Sequence, residues 1–442
     1  MRDWLNYRFE NNSNDTFLQI KGRNFSYQEI GNIVYDRALA LYDLGVIRKQ
    51  KVGIFLSDPS DFIEAYLSCY KIQATSVIFN TKWKKDELKR AIDRVSIDFI
   101  ICSFKDRKLF TQFRKPIIFI EELSKSFGSC APKKINAQIN QNDIQSILFT
   151  SGTGGIPKPV CLTYENFFQS SMKWEKAVKL NSQDKYLLCL PLYHIGGLAI
   201  IMRALHIGFT ININMDIKDS FDLIGSDSII SIVPTILKKL INMKSHISYL
   251  QGMRCIILSG GIIPQNLLKS CIENSLNVFI SYGMTETCSG ICGRWVENND
   301  LGDLVGTPFD GVDITVENNR IVIQSNTIMK QYYNGELNNG LFITSDKGKL
   351  HENSLVLRGR IDETVISGGE NIDSSEVIHA ITKIIPSCRV VPIKKNDSSW
   401  GEILGVIIYT NENIQIDILK SELQKVIADY KIPKEIIIKQ ND

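Results

Sequence analysis

The sequence has little net charge: 51 Lys and Arg stand against 48 Asp and Glu, for a formal charge of +3. This balance gives no electrostatic reason to expect nucleic acid or an anionic membrane as the main partner. A long apolar run is also lacking. The most apolar stretch, 186–209, is interrupted by Pro191, His194 and Arg203, whereas a spanning helix needs about 20 mainly apolar residues. The sequence therefore predicts no membrane span and no signal peptide, and we expect a cytoplasmic protein.

Paired cysteines and clustered histidines are missing as well. The ten cysteines stand singly, without a CxxC pair, and a disulfide framework is unusual in a chain this long. The five histidines are dispersed and form no HExxH pattern, so we expect no zinc site. The cysteines are predicted to be reduced and buried, with none acting as a covalent catalyst.

What the sequence does contain is an alternation of short apolar runs with segments of helical spacing. Strands that alternate with helices predict layered α/β sheets. The predicted strands are Lys51–Leu56, Ser76–Phe79, Phe99–Cys102, Ile117–Ile120, Ile147–Phe149, Ile229–Val233, Cys255–Leu258 and Val278–Ile280. The predicted helices between the first of these strands are Ser60–Ile72 and Lys85–Arg94.

The length of the chain predicts two or more domains. The alternation of strands and helices changes after Gly311. Short strand candidates separated by Asn and Gly, within about 305–358, favour a small β-barrel. After it come a Gly-Gly loop, helix candidates at Ser374–Lys383 and Ile418–Asp429, and strand candidates at Arg389–Ile393 and Ile403–Tyr409. We therefore expect a large N-terminal α/β domain at 1–360 and a small α+β C-terminal domain at 361–442.

The strongest chemical signal is the segment SILFTSGTGGIPK at 146–158. A strand runs into a loop of hydroxyls and glycines that ends on Lys158, and such a loop suits phosphate oxygens. It is not a Walker A loop, because Pro157 precedes the lysine. A plain surface turn is the alternative when this segment is read alone.

Four further segments follow in order: SYGMTET at 281–287, FITSD at 342–346, RGRID at 358–362 and SGGENI at 367–372. Read singly, Glu286 would be a surface glutamate and the glycine pair a tight turn before a helix. Together, the five segments resemble the acyl-adenylate-forming superfamily, which includes acyl-CoA synthetases, firefly-type luciferases and peptide-synthetase adenylation domains. Gly154 and Ser345 depart from the usual motifs, where Thr and Gly stand.

The resemblance implies an enzyme that activates a carboxylic acid with Mg·ATP and passes the acyl group to the thiol of CoA, with a small mobile C-terminal domain. It implies nucleotide contacts for Thr150, Ser151, Gly152, Thr153, Gly155, Lys158, Tyr282, Gly283, Asp346 and Arg360. It places Thr285 at the α-phosphate, Glu286 at Mg²⁺, Asp362 at a hinge, and Gly368 and Gly369 beside the pantetheine of CoA.

The segment PLYHIGGLAIIMR at 191–203 bears on which acid is used. By resemblance His194 lies beside the acyl and pantetheine tunnel, although a lone histidine is often a packed core residue. Arg203 in an apolar helix needs an anion, which is either a second carboxylate of the substrate or a protein carboxylate. With Gly260 and Gly261, this segment resembles o-succinylbenzoate–CoA ligases of menaquinone synthesis, whose acid carries two carboxylates.

Two other readings stay open: a CoA ligase for another aryl or medium-chain acid, and a nucleotide-binding pseudoenzyme. The partners expected are small molecules, and the oligomeric state is open, with a homodimer as one option. The family ends on a Gly-Lys motif that this sequence lacks after Gly369, although Lys431–Lys434 matches the segment before it. We therefore expect a shortened C-terminal domain, slow adenylation and a better preserved thioester step.

Overall fold

The computed structural model describes residues 1–123, 138–150, 158–213, 228–261, 263–297, 304–360, 364–386 and 388–440. Three sheets organise these residues. Among them, no helix is both long and apolar enough to cross a membrane. The described cysteines are free thiols, most of them buried.

The first sheet has seven strands and is mainly parallel, as the alternation of strands and helices predicts. In spatial order its strands are β18 (Gln331–Tyr332), β8 (Lys158–Thr163), β7 (Ile144–Thr150), β4 (Thr75–Ile78), β3 (Lys51–Phe55), β5 (Phe99–Cys102) and β6 (Ile117–Phe119). The strand β7 pairs antiparallel with β8, with Thr150 opposite Lys158. The two ends of the predicted phosphate loop are therefore neighbours in the sheet.

The second sheet has thirteen strands, parallel in one half and antiparallel in the other. Its order is β16 (Val312–Glu317), β17 (Arg320–Ser325), β19 (Leu341–His351), β20 (Ser354–Arg360), β15 (Leu304–Pro308), β14 (Ser289–Trp295), β13 (Val278–Met284), β12 (Cys255–Leu258), β11 (Ser228–Ile232), β9 (Lys185–Leu188), β10 (Thr210–Ile213), β1 (Thr16–Ile20) and β2 (Arg23–Ser26). The short strands predicted after Gly311 thus continue this sheet through β15 and β14.

The third sheet belongs to the C-terminal part of the chain. Its strands are β22 (Glu370–Asp373), β21 (Thr364–Ser367), β24 (Gly401–Tyr409), β23 (Arg389–Asp397) and β25 (Glu435–Lys439). This part has its own core, which includes Val365, Ile381 and Leu423. The boundary that we expect at Ile361 lies outside the described residues, so the division into domains stays a prediction.

Helices cover the sheets in layers. They are α1 (Trp4–Asn11), α2 (Tyr27–Asp43), α3 (Pro59–Lys71), α4 (Lys85–Arg94), α5 (Arg107–Phe110), α6 (Ile120–Leu123), α7 (Tyr164–Val178), α8 (Ile195–Ile207), α9 (Pro234–Asn242), α10 (Ile247–Gln251), α11 (Gln265–Glu273), α12 (Ser374–Ile384) and α13 (Ile416–Val426). One apolar cluster joins α2, α3, α7 and α8 to strands of both large sheets, so these helices are packed between the sheets. The α/β fold is that predicted, with a large N-terminal part and a small C-terminal one.

Local sequence explains where several helices begin. The side chain of Asp58 accepts from two backbone amides of α3, and Pro59 occupies the first turn, where a missing N–H costs nothing. Ser26 and Glu29 form a capping box at the start of α2. The helix α13 ends at Val426, before the predicted end at Asp429, and a short 3₁₀ turn at Asp429–Lys431 follows it.

Candidate active site

The nucleotide side of the candidate site is built where strands of the second sheet end. The hydroxyl of Tyr282, on β13, donates to Oδ2 of Asp346 over 2.7 Å. Arg360, opposite Asp346 in the β19–β20 register, donates from Nη1 to Oδ1 over 2.9 Å. Asp346 is only 8% exposed, and a buried carboxylate is stable when it is hydrogen-bonded and paired. Three of the predicted nucleotide residues are therefore brought together.

Gly283 follows Tyr282 in the same strand and has no room for a side chain. A Cβ atom there would lie 2.1 Å from the carbonyl oxygen of Ser289 on the antiparallel neighbour β14. The glycine is thus required by close approach of two strands. It fixes the backbone next to Tyr282 and ahead of the short 3₁₀ turn at Thr285–Thr287.

Glu286 lies in that turn and is buried, with 9% of its surface exposed. Its Oε1 accepts from the hydroxyl of Tyr332 over 2.8 Å and from Oγ1 of Thr150 over 3.5 Å. Burial raises the pKa of this carboxyl group, against the opposing effect of the Tyr332 hydrogen bond and of the charges on Arg360 and Lys158. An ordinary surface glutamate, the reading of this residue in isolation, is therefore excluded.

The donors around Glu286 fit a magnesium ion that arrives with a nucleotide. Magnesium is usually held by one or two carboxylates together with phosphate oxygens, and here one buried carboxylate is surrounded by hydroxyls. The described part of the chain has no group of three or more His, Cys, Asp or Glu that could hold a metal by itself. Phosphate oxygens of the nucleotide and water would supply the remaining ligands.

A second group of residues assembles around Glu370, which follows the predicted CoA-loop glycines Gly368 and Gly369. Its Oε2 lies 3.0 Å from Nε2 of His194, and its Oε1 accepts from the ammonium of Lys82 over 2.8 Å. Burial alone would raise the pKa of Glu370, but the contacts with His194 and Lys82 outweigh it and lower the pKa to about 2. His194 is therefore not a packed core residue; it stands at the start of α8, partly exposed and held by a carboxylate.

Three glycines that are predicted to lie along the acyl path or in the CoA loop, Gly260, Gly368 and Gly369, have positive φ, a backbone conformation that favours glycine. A Cβ on Gly369 would lie 2.7 Å from Cγ1 of Val233, and a Cβ on Gly260 would lie 3.4 Å from the same atom. Gly261 follows beside Pro234. The C-terminal loop thus packs on the segment between β11 and α9, beside the loop after β12.

One cleft connects the two groups. Its walls include Thr150 and Thr285 from the nucleotide side and His194, Glu370 and Asn371 from the other. The enclosed space is about 80 Å³. Groups predicted for phosphate and for CoA therefore face one space, which is what a transfer from an adenylate to a thiol requires.

Arg203 lies in α8 and is 2% exposed. Its Nη2 donates to Oγ of Ser289 over 2.8 Å, and its Cζ lies 4.6 Å from the ring centroid of Trp174. Within the described residues no carboxylate pairs with it, and its Nε is buried without a hydrogen-bond partner. Burial lowers the pKa of this guanidinium. The reading in which Arg203 pairs with a protein carboxylate therefore finds no support in the described part of the chain.

Five predicted site residues lie outside the described residues: Ser151, Gly152, Thr153, Gly155 and Asp362. Lys158 is described and exposed at the start of β8, and it contributes positive charge near Glu286.

Sequence reasoning missed Tyr332, Lys82 and Trp400. Tyr332 reaches Glu286 from the short strand β18, which carries no motif. Trp400 is partly exposed, contacts the Gly368 position, and has the ammonium groups of Lys434 and Lys239 at 4.4 and 5.4 Å from its ring centroid. The sequence signal that could have pointed to Trp400 is a tryptophan directly after a polar turn segment, NDSSWG at 396–401.

Comparison with curated proteins gives relatives over nearly the whole chain. A 2-succinylbenzoate–CoA ligase of Bacillus mycoides is 26% identical over 458 aligned positions, covering 98% of this chain and 94% of the relative. One from Bacillus cereus is 26% identical over 460 positions, with the same coverage.

Solved structures give the same picture. The o-succinylbenzoate CoA synthetase of Bacillus subtilis, as a double mutant bound to the product analogue OSB-NCoA, matches with a TM-score of 0.93 at 25% identity, over 99% of this chain and 95% of that one. The same enzyme in complex with the acyl-adenylate intermediate OSB-AMP gives 0.79 at 25% identity, over 99% and 94%. The overall arrangement here is thus more similar to that of the product-analogue complex.

The family model described as AMP-binding enzyme matches residues 5–333. This range contains Thr150 and His194, which line the cleft, together with Lys158, Tyr282 and Glu286. The chain belongs to the AMP-binding enzyme family.

Proposed function

We propose that this protein is an ATP-dependent acid–CoA ligase that converts 2-succinylbenzoate, ATP and CoA to 2-succinylbenzoyl-CoA, AMP and diphosphate through an acyl-adenylate. The observation that carries the proposal is the shared cleft in which Thr150 and Thr285 face His194 and Glu370. Full-length similarity to 2-succinylbenzoate–CoA ligases supports the choice of acid.

In the first half-reaction a carboxylate oxygen of the acid attacks the α-phosphorus of ATP, and diphosphate leaves. The chain supplies positioning and charge rather than a nucleophile. Asp346, held by Tyr282 and Arg360, would accept from the ribose hydroxyls, and Gly283 would lie along the adenine. Thr285, Lys158 and Thr150, with Ser151, Gly152, Thr153 and Gly155, would contact the phosphates. Glu286 would be the protein ligand of a magnesium ion, which screens phosphate charge.

In the second half-reaction the thiol sulfur attacks the acyl carbon, and AMP leaves. A carboxylate that accepts a hydrogen bond from Nε2–H of His194 leaves Nδ1 as the ring nitrogen able to take up a proton. We infer that Glu370 holds His194 in this form beside the entering thiol. Gly368 and Gly369 would let the pantetheine pass, with Asp362 as the hinge before them. Trp400, with Lys239 and Lys434, offers a ring and two cations for the nucleotide end of CoA.

For the acid itself we propose that Arg203 binds the carboxylate that is not activated, with Gly260 and Gly261 along the acyl path. Its free Nε is a buried donor without a described acceptor, and such a donor costs free energy until an acceptor reaches it. A guanidinium already fixed by Trp174 and Ser289 suits a carboxylate in both charge and geometry.

The test is acid-dependent diphosphate release with 2-succinylbenzoate, beside aryl and medium-chain acids that carry one carboxylate. Arg203→Ala should raise the KM for 2-succinylbenzoate about 10- to 100-fold, because hydrogen bonds to charged groups contribute about 1.5–3 kcal/mol. The KM for ATP should stay unchanged, and a monocarboxylic substrate should be affected much less. Equal losses for both kinds of acid would refute the role of Arg203, with Arg203→Lys as the charge-preserving comparison.

Two other functions are decided by the same assay. Diphosphate release with an aryl or medium-chain acid alone would make this protein a ligase for that acid. Binding of AMP without diphosphate release under any acid would make it a pseudoenzyme. We further propose a cytoplasmic location, in keeping with free buried thiols; a homodimer is the oligomeric state to test by light scattering.

A further inference from the structure

A cluster of buried charges lies where α4 meets the C-terminal part. The ammonium of Lys431 donates to Oε1 of Glu87 over 2.5 Å and to Oε2 of Glu376 over 2.8 Å. Lys431 is 7% exposed, Glu87 1% and Glu376 9%. Charges at this depth are stable only when each has its partners in place.

The cluster is electrically balanced by a fourth residue. Arg90, one helical turn after Glu87, donates from Nη2 to the other oxygen of Glu376 over 2.8 Å. Two carboxylates thus face two cations. The backbone amide of Lys84 donates to the remaining oxygen of Glu87 over 2.8 Å, so this side chain is fixed from both sides.

The partners come from two parts of the chain that are built around separate cores. Glu87 and Arg90 belong to α4, whose apolar side packs in a cluster with strands of the first sheet. Glu376 lies in α12 and Lys431 in the 3₁₀ turn after α13, both in the C-terminal part. The bond between Lys431 and Glu87 therefore crosses between the two parts, whereas the bond between Lys431 and Glu376 lies within the C-terminal part.

The cluster is linked by short covalent paths to the group around Glu370. The strand β22, which begins at Glu370, leads into α12 without an intervening loop, so Glu376 is only six residues further along. The contact of Glu370 with His194 requires the C-terminal part to lie where this cluster places it. By contrast, the bonds among Tyr282, Glu286, Tyr332, Asp346 and Arg360 involve neither α4 nor any residue after 363.

We propose that Lys431 and Glu87 are positioning residues for the thioester half-reaction: they lock the C-terminal part onto α4 in the arrangement that brings Glu370 to His194. The inference rests on the proposed function, and it predicts that the lock serves transfer to CoA and not formation of the adenylate. The higher TM-score against the product-analogue complex than against the acyl-adenylate complex, 0.93 against 0.79, supports this assignment.

The experiment measures the two half-reactions separately: acid-dependent diphosphate release, and consumption of CoA with preformed acyl-adenylate. Lys431→Met keeps the length of the side chain but leaves two carboxylates facing one arginine. We expect the CoA step to slow at least about 10-fold, since breaking a buried ion pair is strongly unfavourable, while diphosphate release changes less than about 3-fold. Lys425→Met, on the exposed side of α13, is the matched control and should leave both steps unchanged.

A double variant makes the test specific to charge. In Glu87→Gln/Lys431→Gln the pair becomes neutral, and Arg90 still balances Glu376. This variant should recover much of the CoA step lost in Glu87→Gln or Lys431→Met alone, because no uncompensated charge remains buried. Equal slowing of both half-reactions, or no slowing of the CoA step, would overturn the proposal.

Control measurements separate the possible failures. A thermal unfolding midpoint for each variant identifies misfolding; if Lys431→Met does not fold, Glu87→Gln and the double variant decide the question by the same comparison. If the wild-type protein releases no diphosphate with any acid and consumes no CoA with the adenylate, the proposed function fails, whatever the variants do.

Discussion

The nucleotide side and the thiol side of the cleft are assembled in different ways. On the nucleotide side, Asp346 is 64 residues from Tyr282 and 14 from Arg360, and all three belong to one continuous sheet. On the thiol side, Glu370 is 176 residues from His194 and 288 from Lys82, and it reaches them from a different sheet with its own core. The first group is thus part of a single framework, whereas the second exists only while two parts of the chain are docked.

The two half-reactions therefore depend on different kinds of contact. Groups on one sheet are held by strand pairing and by burial of the sheet, so the nucleotide side should tolerate changes in the C-terminal part. Groups that meet across two cores depend on a few polar contacts and on glycines that allow close approach, such as Gly369 against Val233. The thiol side should therefore be easier to disrupt selectively.

The largest effect is expected on the nucleotide side, from Glu286→Gln. This change keeps the shape of the side chain but removes the charge that would bind magnesium and offset phosphate charge. Loss of one such contact commonly costs about 100- to 1,000-fold in rate, so diphosphate release should fall by that order. The rate of diphosphate release is measured as a function of magnesium concentration, and the variant should need a higher concentration than the wild type.

Glu336→Gln, an exposed residue, is the control for Glu286→Gln and should behave like the wild type. A Glu286→Gln variant that kept full diphosphate release at low magnesium would show that this carboxylate is not a metal ligand. Consumption of CoA with preformed adenylate should be less affected than diphosphate release, because that step needs no new phosphorus–oxygen bond.

A smaller effect is expected on the thiol side, from Gly369→Ala. At φ +87°, with only 2.7 Å between the added Cβ and Val233, the loop must move or Val233 must give way. Left-handed backbone alone costs a non-glycine residue about 1–2 kcal/mol. We expect the CoA step to slow about 10-fold, while diphosphate release changes little.

Gly22→Ala has the matching control geometry, with φ +80° and nothing within 4 Å of the added Cβ. It imposes similar backbone strain away from the cleft and should leave both half-reactions at wild-type rates. If Gly369→Ala slowed diphosphate release as much as CoA consumption, the two sides of the cleft would not be separable.

The smallest effect concerns pH and Glu370, whose pKa is lowered to about 2. A pKa below the unfolded value of about 4.3 adds stability above that value, and this contribution is lost as the pH falls through about 2. Glu370→Gln should therefore lower the unfolding midpoint by about 1–2 °C at pH 8. The difference from the wild type should begin to shrink below about pH 4.3.

The midpoint difference is measured by thermal unfolding at pH 8, 5 and 3.5, with the exposed Glu317→Gln as the control. A difference that stayed the same at pH 8, 5 and 3.5 would mean that the pKa of Glu370 is not lowered in the folded protein and that His194 and Lys82 do not hold its charge. The wild-type CoA step should likewise show no loss attributable to protonation of Glu370 above about pH 4.3.

Much of the fold could be predicted because its strands and helices leave apolar runs and helical spacing in the local sequence. The predicted strands Phe99–Cys102 and Cys255–Leu258 and the predicted helix Lys85–Arg94 agree with the structure residue for residue. Apolar runs and helical spacing reflect burial of one segment, which the segment's own residues determine. The order of the strands in the sheets could not be predicted in this way. The same is true of the pairing of β15 with β14, which makes the strands predicted to form a barrel part of the second sheet.

The sequence alone contained the five motif segments whose resemblance to the acyl-adenylate-forming superfamily predicts a nucleotide site, because each motif is short and continuous in the chain. It also determined that Arg203 in an apolar helix needs an anion. Folding, in contrast, leaves Arg203 without a carboxylate partner among the described residues, and it buries Glu87 of the segment KKDELKRAID instead of leaving it on a solvated face. The charge pattern of a helix shows only which kinds of side chain it can pair with. Whether one of its charges is buried depends on the segment that packs against it, and for Glu87 that segment carries Lys431, 344 residues away.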